Sequence, residues 1–233
     1  MRVELISFTR DPEVTCAKCA SVSWSKRGMN SLTLAEAREI MKHVLGCGHE
    51  SVIEHASFTF FVEGISRSLT HQLVRHRIAS YTQQSMRYTD LTTMHEYFIK
   101  PKTILDDKEL NALFDETMSI CKKAYDILRQ KQIPAEDSRF VLPIATQTKI
   151  ALTMNARELR HFFELRCCLR AQWEIRELAN EILRICKSIA PSLFENSGPS
   201  CIRLGFCPEG EVSCGKLKTV LKSYKRKVKS EDG

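Results

Sequence analysis

The sequence predicts an α+β fold, a helix-rich single domain with a small antiparallel or mixed sheet. Segments with apolar residues at steps of three and four are long, and they outnumber the short segments rich in aromatic and β-branched residues. The predicted strands are few and do not alternate regularly with helices, as they would in a parallel βαβ sheet. The chain contains no internal repeat and no low-complexity tract.

The N-terminal part predicts two strands and one helix. Residues 3–8 alternate apolar and polar side chains, and residues 57–62 are aromatic and β-branched, so both segments are typical of strands. Between them, the residues from Thr33 to Glu36 have the pattern of a capping box that opens a helix. Gly46 ends that helix. Its apolar stripe is Leu34, Ala37, Met41 and Val44.

The central part predicts helices on either side of a loop. A helix is predicted over 66–79 and a loop over 78–88, because the loop segment has too many hydroxyl and amide side chains for a buried element. A long amphipathic helix follows over 109–131. Pro134 suits the first turn of a short helix, which Pro143 stops. The apolar stripe of the long helix is Leu110, Phe114, Cys121 and Leu128.

The C-terminal part predicts one strand and two helices. A short strand is expected over 149–154, and Asn155 is placed to cap a helix that runs through Leu165. A longer helix is predicted over 169–190, where apolar residues recur at steps of three and four. Pro191 then breaks the pattern.

Composition and charge favour a cytoplasmic protein with reduced cysteines. The N-terminus lacks the basic and apolar segments of a signal peptide, and no apolar run approaches the roughly 18 residues that cross a bilayer. The ten cysteines are then expected to be thiols. Residues 216–233 carry +5 of the net charge of +7, and we expect a frayed, solvated terminus there.

The segment Arg75-His76-Arg77-Ile78-Ala79-Ser80-Tyr81-Thr82-Gln83-Gln84-Ser85-Met86-Arg87-Tyr88 has the composition of an anion-binding site. It holds three arginines together with hydroxyl and amide side chains. Guanidinium groups bind phosphates and carboxylates through paired hydrogen bonds and stay charged at neutral pH. A solvated basic helix end has the same composition, so composition alone leaves both interpretations open.

The order of the residues resembles the flavin-dependent thymidylate synthase family, also called thymidylate synthase-complementing proteins. The resemblance covers residues 1–195 in six ordered blocks, which is far more specific than one short motif. Thr82 stands where an asparagine is usual, and Gln83 where many members have a carboxylate. The blocks are Gly48-His49-Glu50-Ser51 with Glu54-His55, Arg75-His76-Arg77 with Ser85 and Arg87, Arg139-Phe140-Val141-Leu142-Pro143, Asn155-Ala156-Arg157, Leu165-Arg166, and Ala171-Gln172-Trp173-Glu174-Ile175.

The resemblance implies a reaction, its cofactors and its partners. It implies reductive methylation of dUMP to dTMP, with methylenetetrahydrofolate as the one-carbon donor and reduced FAD as the hydride donor. It further implies NADPH as the reductant of the flavin and a homotetramer with sites shared between subunits. Residues 1–197 are then the catalytic domain that binds FAD and dUMP, and residues 198–233 a cysteine-containing basic tail.

The resemblance also assigns roles to single residues. Arg166 corresponds to the catalytic residue that favours ionisation of the uracil at N3. The implied FAD contacts are Ser51, Arg75, His76, Arg77, Gln83, Asn155, Arg157 and His161. The implied dUMP contacts are Gln72, Arg75, Gln83, Gln84, Ser85, Met86, Arg87, Arg139 and Arg166, with Arg139 reaching in from a neighbouring subunit and Gln84 and Met86 acting through their backbone.

Two other functions remain as alternatives. A nucleic-acid-binding protein would use the arginine-rich segment and the basic tail, although no nucleic acid and no membrane are expected as partners. A metal-dependent hydrolase would use His49, Glu54 and His55, although their spacing matches no catalytic zinc motif, and no metal is predicted there. Cys16 and Cys19 have a spacing that zinc also uses, but a second such pair is missing.

Overall fold

The computed structural model describes residues 1–24, 32–89, 91 and 97–229, with the side chains of 225–229 left out. Four antiparallel strands form one sheet in the order β1-β2-β4-β3, and helices make up most of the remainder, so the predicted α+β class is confirmed. The strands are β1 Arg2–Phe8, β2 Ser57–Ser66, β3 Ala79–Gln83 and β4 Gln147–Asn155. Within the described ranges, no helix has the length and apolar character to span a bilayer.

The helices vary widely in length. The α-helices are α1 Pro12–Ser21, α2 Leu34–Gly46, α3 Arg67–Leu73, α4 Lys102–Leu105, α5 Lys108–Gln130, α6 Ala135–Ser138, α7 Ala156–Arg166, α8 Trp173–Ile189, α9 Pro191–Phe194, α10 Ser200–Leu204 and α11 Leu217–Lys229. Three short 3₁₀ segments cover Glu50–His55, Arg139–Val141 and Gly210–Val212.

The chain divides into two compact units. Unit 1 contains Met1–Arg2, Phe61–Arg75 and Tyr81–Ala151, and unit 2 contains Val3–Phe60, His76–Ser80 and Leu152–Gly233. Strands β2, β3 and β4 therefore contribute residues to both units. Neither unit begins at residue 198, so a domain boundary at that position stays a prediction.

The core of unit 2 is built on aromatic rings. The ring of Phe194 lies 5.6 Å from Phe58 and 6.0 Å from Phe163, and Phe163 lies 5.8 Å from Phe162. All four side chains are fully buried. Since edge-to-face aromatic pairs add to the stabilisation from burial alone, this cluster fixes β2, α7 and α9 against one another.

Unit 1 has a smaller core around one face of the long helix α5. Tyr125 of α5 is fully buried and packs with Met86, Leu91 and Tyr97. Of the predicted stripe on this helix, Phe114, Cys121 and Leu128 are partly buried. Leu110 is 48% exposed, so its assignment to the buried face was wrong.

Several helix starts follow the predicted capping chemistry. Thr33 and Glu36 form the predicted capping box at α2, and Asn155 Oδ1 accepts from the N–H of Glu158 at 2.9 Å at the start of α7. Ala37, Met41 and Val44 of the predicted stripe on α2 are buried. Leu34 is 48% exposed and does not belong to that stripe, because the first turn extends beyond the packed face.

The segment after α3 differs from the prediction. The helix ends at Leu73 instead of 79, and Ala79–Gln83 is the edge strand β3 instead of a loop. The backbone of this segment pairs with β4, and the N–H of Gln84 continues the pairing by donating to the carbonyl of Lys149 at 2.9 Å. An edge strand tolerates alternating polar side chains, which is why its composition resembled a loop.

Two C-terminal expectations are also corrected. Helix α8 begins at Trp173 rather than 169, because the Gln172 side chain caps it by accepting from the N–H groups of Glu174 and Ile175. The expectation of a frayed terminus is wrong for the tail up to residue 224, because this part begins helix α11 and packs on the protein. Tyr224 of α11 packs so closely on Gly198 that a Cβ there would lie 2.5 Å from the ring.

The capping box of α2 yields a stability prediction. Thr33→Ala removes the acceptor for the Glu36 N–H, and we expect unfolding free energy to fall by about 1 kcal/mol in urea denaturation. Thr33→Ser keeps the hydroxyl and serves as the matched control. Equal stability of the alanine and serine variants would contradict this role for Thr33.

Candidate active site

A buried histidine organises the candidate residues of unit 2. His76 is only 3% exposed, although both of its neighbours in the sequence, Arg75 and Arg77, are exposed. Its ring lies edge-to-face against Phe162 at 5.0 Å and 5.8 Å from the ring of His161. The histidine of the Arg-His-Arg motif is therefore packed into the protein.

Hydrogen bonds on both ring nitrogens define the state of His76. Arg166 Nε donates to His76 Nε2 at 3.1 Å, so Nε2 must carry a lone pair. His76 Nδ1 lies 3.3 Å from Oε1 of Glu158, which places the ring proton on Nδ1, where it can be donated to the carboxylate. This arrangement requires the neutral imidazole.

The electrostatic surroundings also keep His76 neutral. Burial, the charge of Arg166 and the proximity of His161 lower the pKa of His76 to about 4. Burial in the same region raises the pKa of Glu158 and lowers the pKa of Arg166. At neutral pH the imidazole is thus an uncharged link between a carboxylate and a guanidinium.

Helix α7 supplies the groups that surround His76. Glu158, Phe162 and Arg166 recur at steps of four, which places them on one face of the helix, and each contacts the histidine. Arg166 is half-buried at the last turn, so the bond to His76 holds the stem of its guanidinium. A cation fixed in this way can stabilise negative charge that develops on a bound ring.

The first turn of α7 holds further candidate residues of unit 2. The Asn155 side-chain oxygen is used in the helix cap, and its amide group stays available to a ligand. Arg157 is exposed and forms an ion pair with Glu54 at 2.5 Å. Glu54 belongs to the 3₁₀ segment Glu50–His55, which also carries the exposed Ser51 and packs against α7.

Ser51 lines a cavity of about 860 Å³ in unit 2. Trp24, His43 and His49 lie on the same cavity wall, and Trp24 is 63% exposed. The volume falls within the range of pockets that bind cofactors, and the lining combines an aromatic ring with hydrogen-bonding groups.

In unit 1, the residues after α3 offer amide and guanidinium groups. Gln72 is half-buried near the end of α3 and its carbonyl accepts from the N–H of Arg75 at 3.3 Å. Gln83 at the end of β3 donates from Nε2 to Thr70 Oγ1 at 3.0 Å. That bond leaves the Gln83 side-chain oxygen as an acceptor, but an amide cannot act as a base.

The loop after β3 has the form of a phosphate-binding segment. Ser85 Oγ accepts from the N–H of Arg87 at 3.2 Å, so the serine hydroxyl retains its own proton for donation. The Gln84 N–H is already bonded to Lys149, whereas Met86 has a buried side chain that anchors the loop in the core. The loop is thus fixed at both sides of Ser85.

Glu136 brings two predicted dUMP contacts of unit 1 together. Its carboxylate pairs with Arg87 Nε at 2.6 Å, and its backbone carbonyl accepts from Arg139 Nε at 3.0 Å. Both guanidinium groups are therefore held at one point of the chain, although they are far apart in sequence. A phosphate can compete with the exposed Glu136 carboxylate for Arg87, since such surface pairs are weak.

Arg67 adds a third cation to unit 1. Its Nη1 atom is buried without a hydrogen-bond partner among the described residues. Burial and the charge of Arg139 together lower the pKa of Arg67. Two guanidinium groups that repel each other in this way favour an anion near them.

The sequence predicted Arg87, Arg139 and Arg166 as site residues. It did not predict three residues that surround them in the structure, which are Glu136, Glu158 and Arg67. Glu136 and Glu158 lie between motif positions, and Arg67 precedes the motif by eight residues. The two steps of four, from Glu158 to Phe162 and from Phe162 to Arg166, were the one sequence signal that pointed to a shared helix face.

The metal hypothesis gains no support. No group of three or more His, Cys, Asp or Glu side chains in the described residues is spaced to hold a metal ion. Glu54, one of the proposed ligands, is paired with Arg157. Cys16 is buried on α1, and burial raises the pKa of its thiol to about 12, as expected for a packed apolar cysteine.

The fold and the candidate residues together define an α+β protein with clustered arginines in unit 1 and a buried histidine in unit 2. Residues 4–192 match the model of the family described as thymidylate synthase complementing protein. The chain therefore belongs to the thymidylate synthase complementing protein family, which confirms the resemblance found in the sequence.

Curated relatives cover nearly the whole chain. A flavin-dependent thymidylate synthase of Geobacter sulfurreducens is 45% identical over 97% of this chain and 98% of its own length. Proteins of the same name are 47% identical in Clostridium tetani, with 96% and 97% covered, and 46% identical in Pyrococcus abyssi, with 91% of each covered. The similarity thus extends beyond the residues matched by the family.

The state of His76 can be tested by titration. In NMR spectra of labelled protein, the imidazole should stay neutral until the pH approaches about 4, with the proton on Nδ1. Because this pKa is below the ordinary 6.5, the unfolded chain binds the proton first, and stability falls as the pH drops from 6.5 towards 4. His76→Asn identifies the signal and should remove that part of the pH dependence. Titration near 6.5 in the folded protein would rule out the neutral link.

Proposed function

We propose that this protein is a flavin-dependent thymidylate synthase that methylates dUMP to dTMP. Membership of the family and the shared name of the curated relatives support the activity. The observation that carries the chemical proposal is the half-buried guanidinium of Arg166, held at its Nε by the neutral His76. Methylenetetrahydrofolate supplies the one-carbon unit, and NADPH supplies the reducing equivalents.

Arg166 activates the pyrimidine. A guanidinium beside uracil N3 stabilises the ionised ring, and the added electron density at C5 makes that carbon a nucleophile. The Nε bond to His76 fixes the orientation of the Arg166 guanidinium. Glu158 fixes the imidazole through Nδ1, so it positions Arg166 indirectly.

The residues of unit 1 bind the nucleotide. The hydroxyl of Ser85 and the guanidinium group of Arg87 have the chemistry required for a phosphate. Arg139 is assigned to the dUMP site of a neighbouring subunit. Gln72, Arg75 and Gln83 offer hydrogen bonds to the remainder of dUMP, together with the backbone of Gln84 and Met86. Arg87 releases Glu136 when the phosphate binds.

The residues of unit 2 fit an FAD cofactor. Ser51 and Trp24 line a large cavity, and Asn155, Arg157 and His161 present polar groups along one turn and a half of α7. Arg77 of unit 2 and Arg75 and Gln83 of unit 1 are further residues that we assign to the flavin nucleotide, in sites shared between subunits. His76 is buried and bonded at both ring nitrogens, so it serves the site through Arg166. When bound, the flavin supplies the hydride, and the protein supplies orientation and charge.

A spectrum and an isotope-release assay test the function. The purified or FAD-reconstituted protein should have flavin absorbance bands. It should also release tritium from C5 of labelled dUMP when NADPH and methylenetetrahydrofolate are present. Arg166→Ala should lose turnover by about 10²-fold or more while retaining FAD, because the charge acts on the reacting ring.

Arg184→Ala is the matched control for that variant. Arg184 lies on α8 and pairs only with the neighbouring Glu181 in the contacts that the structure describes. The control should keep both flavin and turnover. Wild-type turnover in Arg166→Ala would remove the proposed role of Arg166, and a protein that binds no flavin would contradict the function itself.

We also propose that the protein is a homotetramer and that α5 takes part in its assembly. Leu113 and Ile120 of α5 are 59% and 62% exposed, and Leu110 and Ile127 are 48% and 47% exposed. With Thr117 and Ala124 between them, these residues recur at alternating steps of three and four, the pattern of helices that pack along a seam. An apolar stripe of this length favours association.

The oligomer prediction is tested by light scattering. Leu113→Glu combined with Ile120→Glu should reduce the mass measured after size-exclusion chromatography, because buried charges oppose packing of the stripe. Ser119→Glu adds a charge on an exposed position away from the stripe and should leave the mass unchanged. An unaltered tetramer in the double variant would exclude α5 from the interface.

A further inference from the structure

Four cysteines line one cavity at the end of α7. Cys168 lies just beyond that helix, and Cys201, Cys207 and Cys214 come from the C-terminal segment. The cavity has a volume of about 260 Å³ and belongs entirely to unit 2. The three cysteines of the segment lie outside residues 4–192, which match the family, whereas Cys168 lies within them.

These four thiols are more accessible than the buried cysteines of unit 2. Each of the four is partly exposed, whereas Cys16 and Cys186 are fully buried. Because Cys16 and Cys186 have no exposed surface, an oxidant in solution does not reach them in the folded protein. Arg166 and Arg170 line the same cavity.

Contacts to α7 hold Cys201 beside Cys168. Arg203 Nε pairs with Glu164 Oε1 at 2.6 Å, and Ser200 Oγ donates to the Glu164 carbonyl at 3.4 Å. Cys201 is thus bracketed by two residues that are anchored to the last turns of α7. Gly205 then turns the chain with a φ of 77°, which carries the segment back to the cavity at Cys207.

The thiols are close enough to influence one another. Burial raises the pKa of Cys201, and Cys168 is the neighbouring thiol with the greatest effect, ahead of Cys207 and Cys214. None of the described cysteines is in a disulfide, and no three of them have the spacing of metal ligands. A metal ion held by the four thiols is the competing occupant.

We propose that Cys168 and Cys201 are a redox modification site, at which peroxide forms a disulfide that ties the C-terminal segment to the end of α7 and slows turnover. One thiolate attacks hydrogen peroxide, so the O–O bond breaks and a sulfenic acid and hydroxide form. The second thiolate attacks the sulfenic sulfur, and hydroxide leaves. Two thiols and one peroxide thus give one disulfide and two waters.

The effect on turnover follows from the position of Arg166. Arg166 lines the same cavity two residues before Cys168, and its Nε must stay aligned with His76. A covalent link at Cys168 restrains the helix end that carries the guanidinium. This part of the inference rests on the proposed thymidylate synthase activity, whereas formation of the disulfide does not.

The experiment compares reduced and peroxide-treated holoenzyme. Peptide mass spectrometry of the treated wild type should identify a Cys168–Cys201 link, with fragment ions that separate Cys168 from Cys167. Tritium release should fall several-fold, and dithiothreitol should reverse both changes. Cys168→Ser and Cys201→Ser should each lack the link and keep their turnover under peroxide, so the test does not depend on one variant folding.

Cys121→Ser is the matched control, because Cys121 is a partly exposed thiol on α5 outside the cavity. It should respond to peroxide as the wild type does. Absence of the link, a link without loss of turnover, or one zinc per chain that the purified protein releases on oxidation would each overturn the proposal. If the reduced wild type makes no dTMP, the proposed function fails while the mapping still tests the disulfide.

Discussion

The candidate active site depends on keeping one buried histidine uncharged. His76 accepts from Arg166 and faces Glu158, and both contacts fit only the neutral ring with its proton on Nδ1. Protonation would remove the lone pair that Arg166 uses and would place two cations side by side in a region of low polarity. The aromatic packing of Phe162 against the ring excludes water from this link, so the position of Arg166 follows from the packing of the core.

Helix α7 belongs both to the packed core of unit 2 and to the candidate active site. Its first turn is capped by Asn155, its buried face carries Phe162 and Phe163 into the aromatic core, and its end presents Arg166. Because side chains on rigid helices are held more precisely than those on loops, the helix and the bond to His76 together fix the guanidinium. The same helix anchors the C-terminal segment through Glu164. We therefore expect a substitution at either end of α7 to alter the position of Arg166.

Unit 1 holds several cations near one another, as the proposed binding of a phosphate requires. Glu136 pairs with Arg87 through its carboxylate and accepts from Arg139 through its backbone. An exposed ion pair contributes little to stability, so exchanging the carboxylate for a phosphate costs little. The repulsion between Arg67 and Arg139 adds to the preference for an anion. The folded chain thus holds these charges near one another before any ligand is present.

The sequence by itself determined the α+β class, the helix caps at Thr33 and Asn155, and the family, because these depend on local periodicity, short-range hydrogen bonds and ordered motifs. It misassigned β3, since an edge strand takes its backbone bonds from β4 and leaves a loop-like composition. Only the tertiary structure decided that His76 is buried and neutral, and that Glu136 lies between Arg87 and Arg139. Burial and charge proximity join residues far apart in sequence, and no local pattern records them.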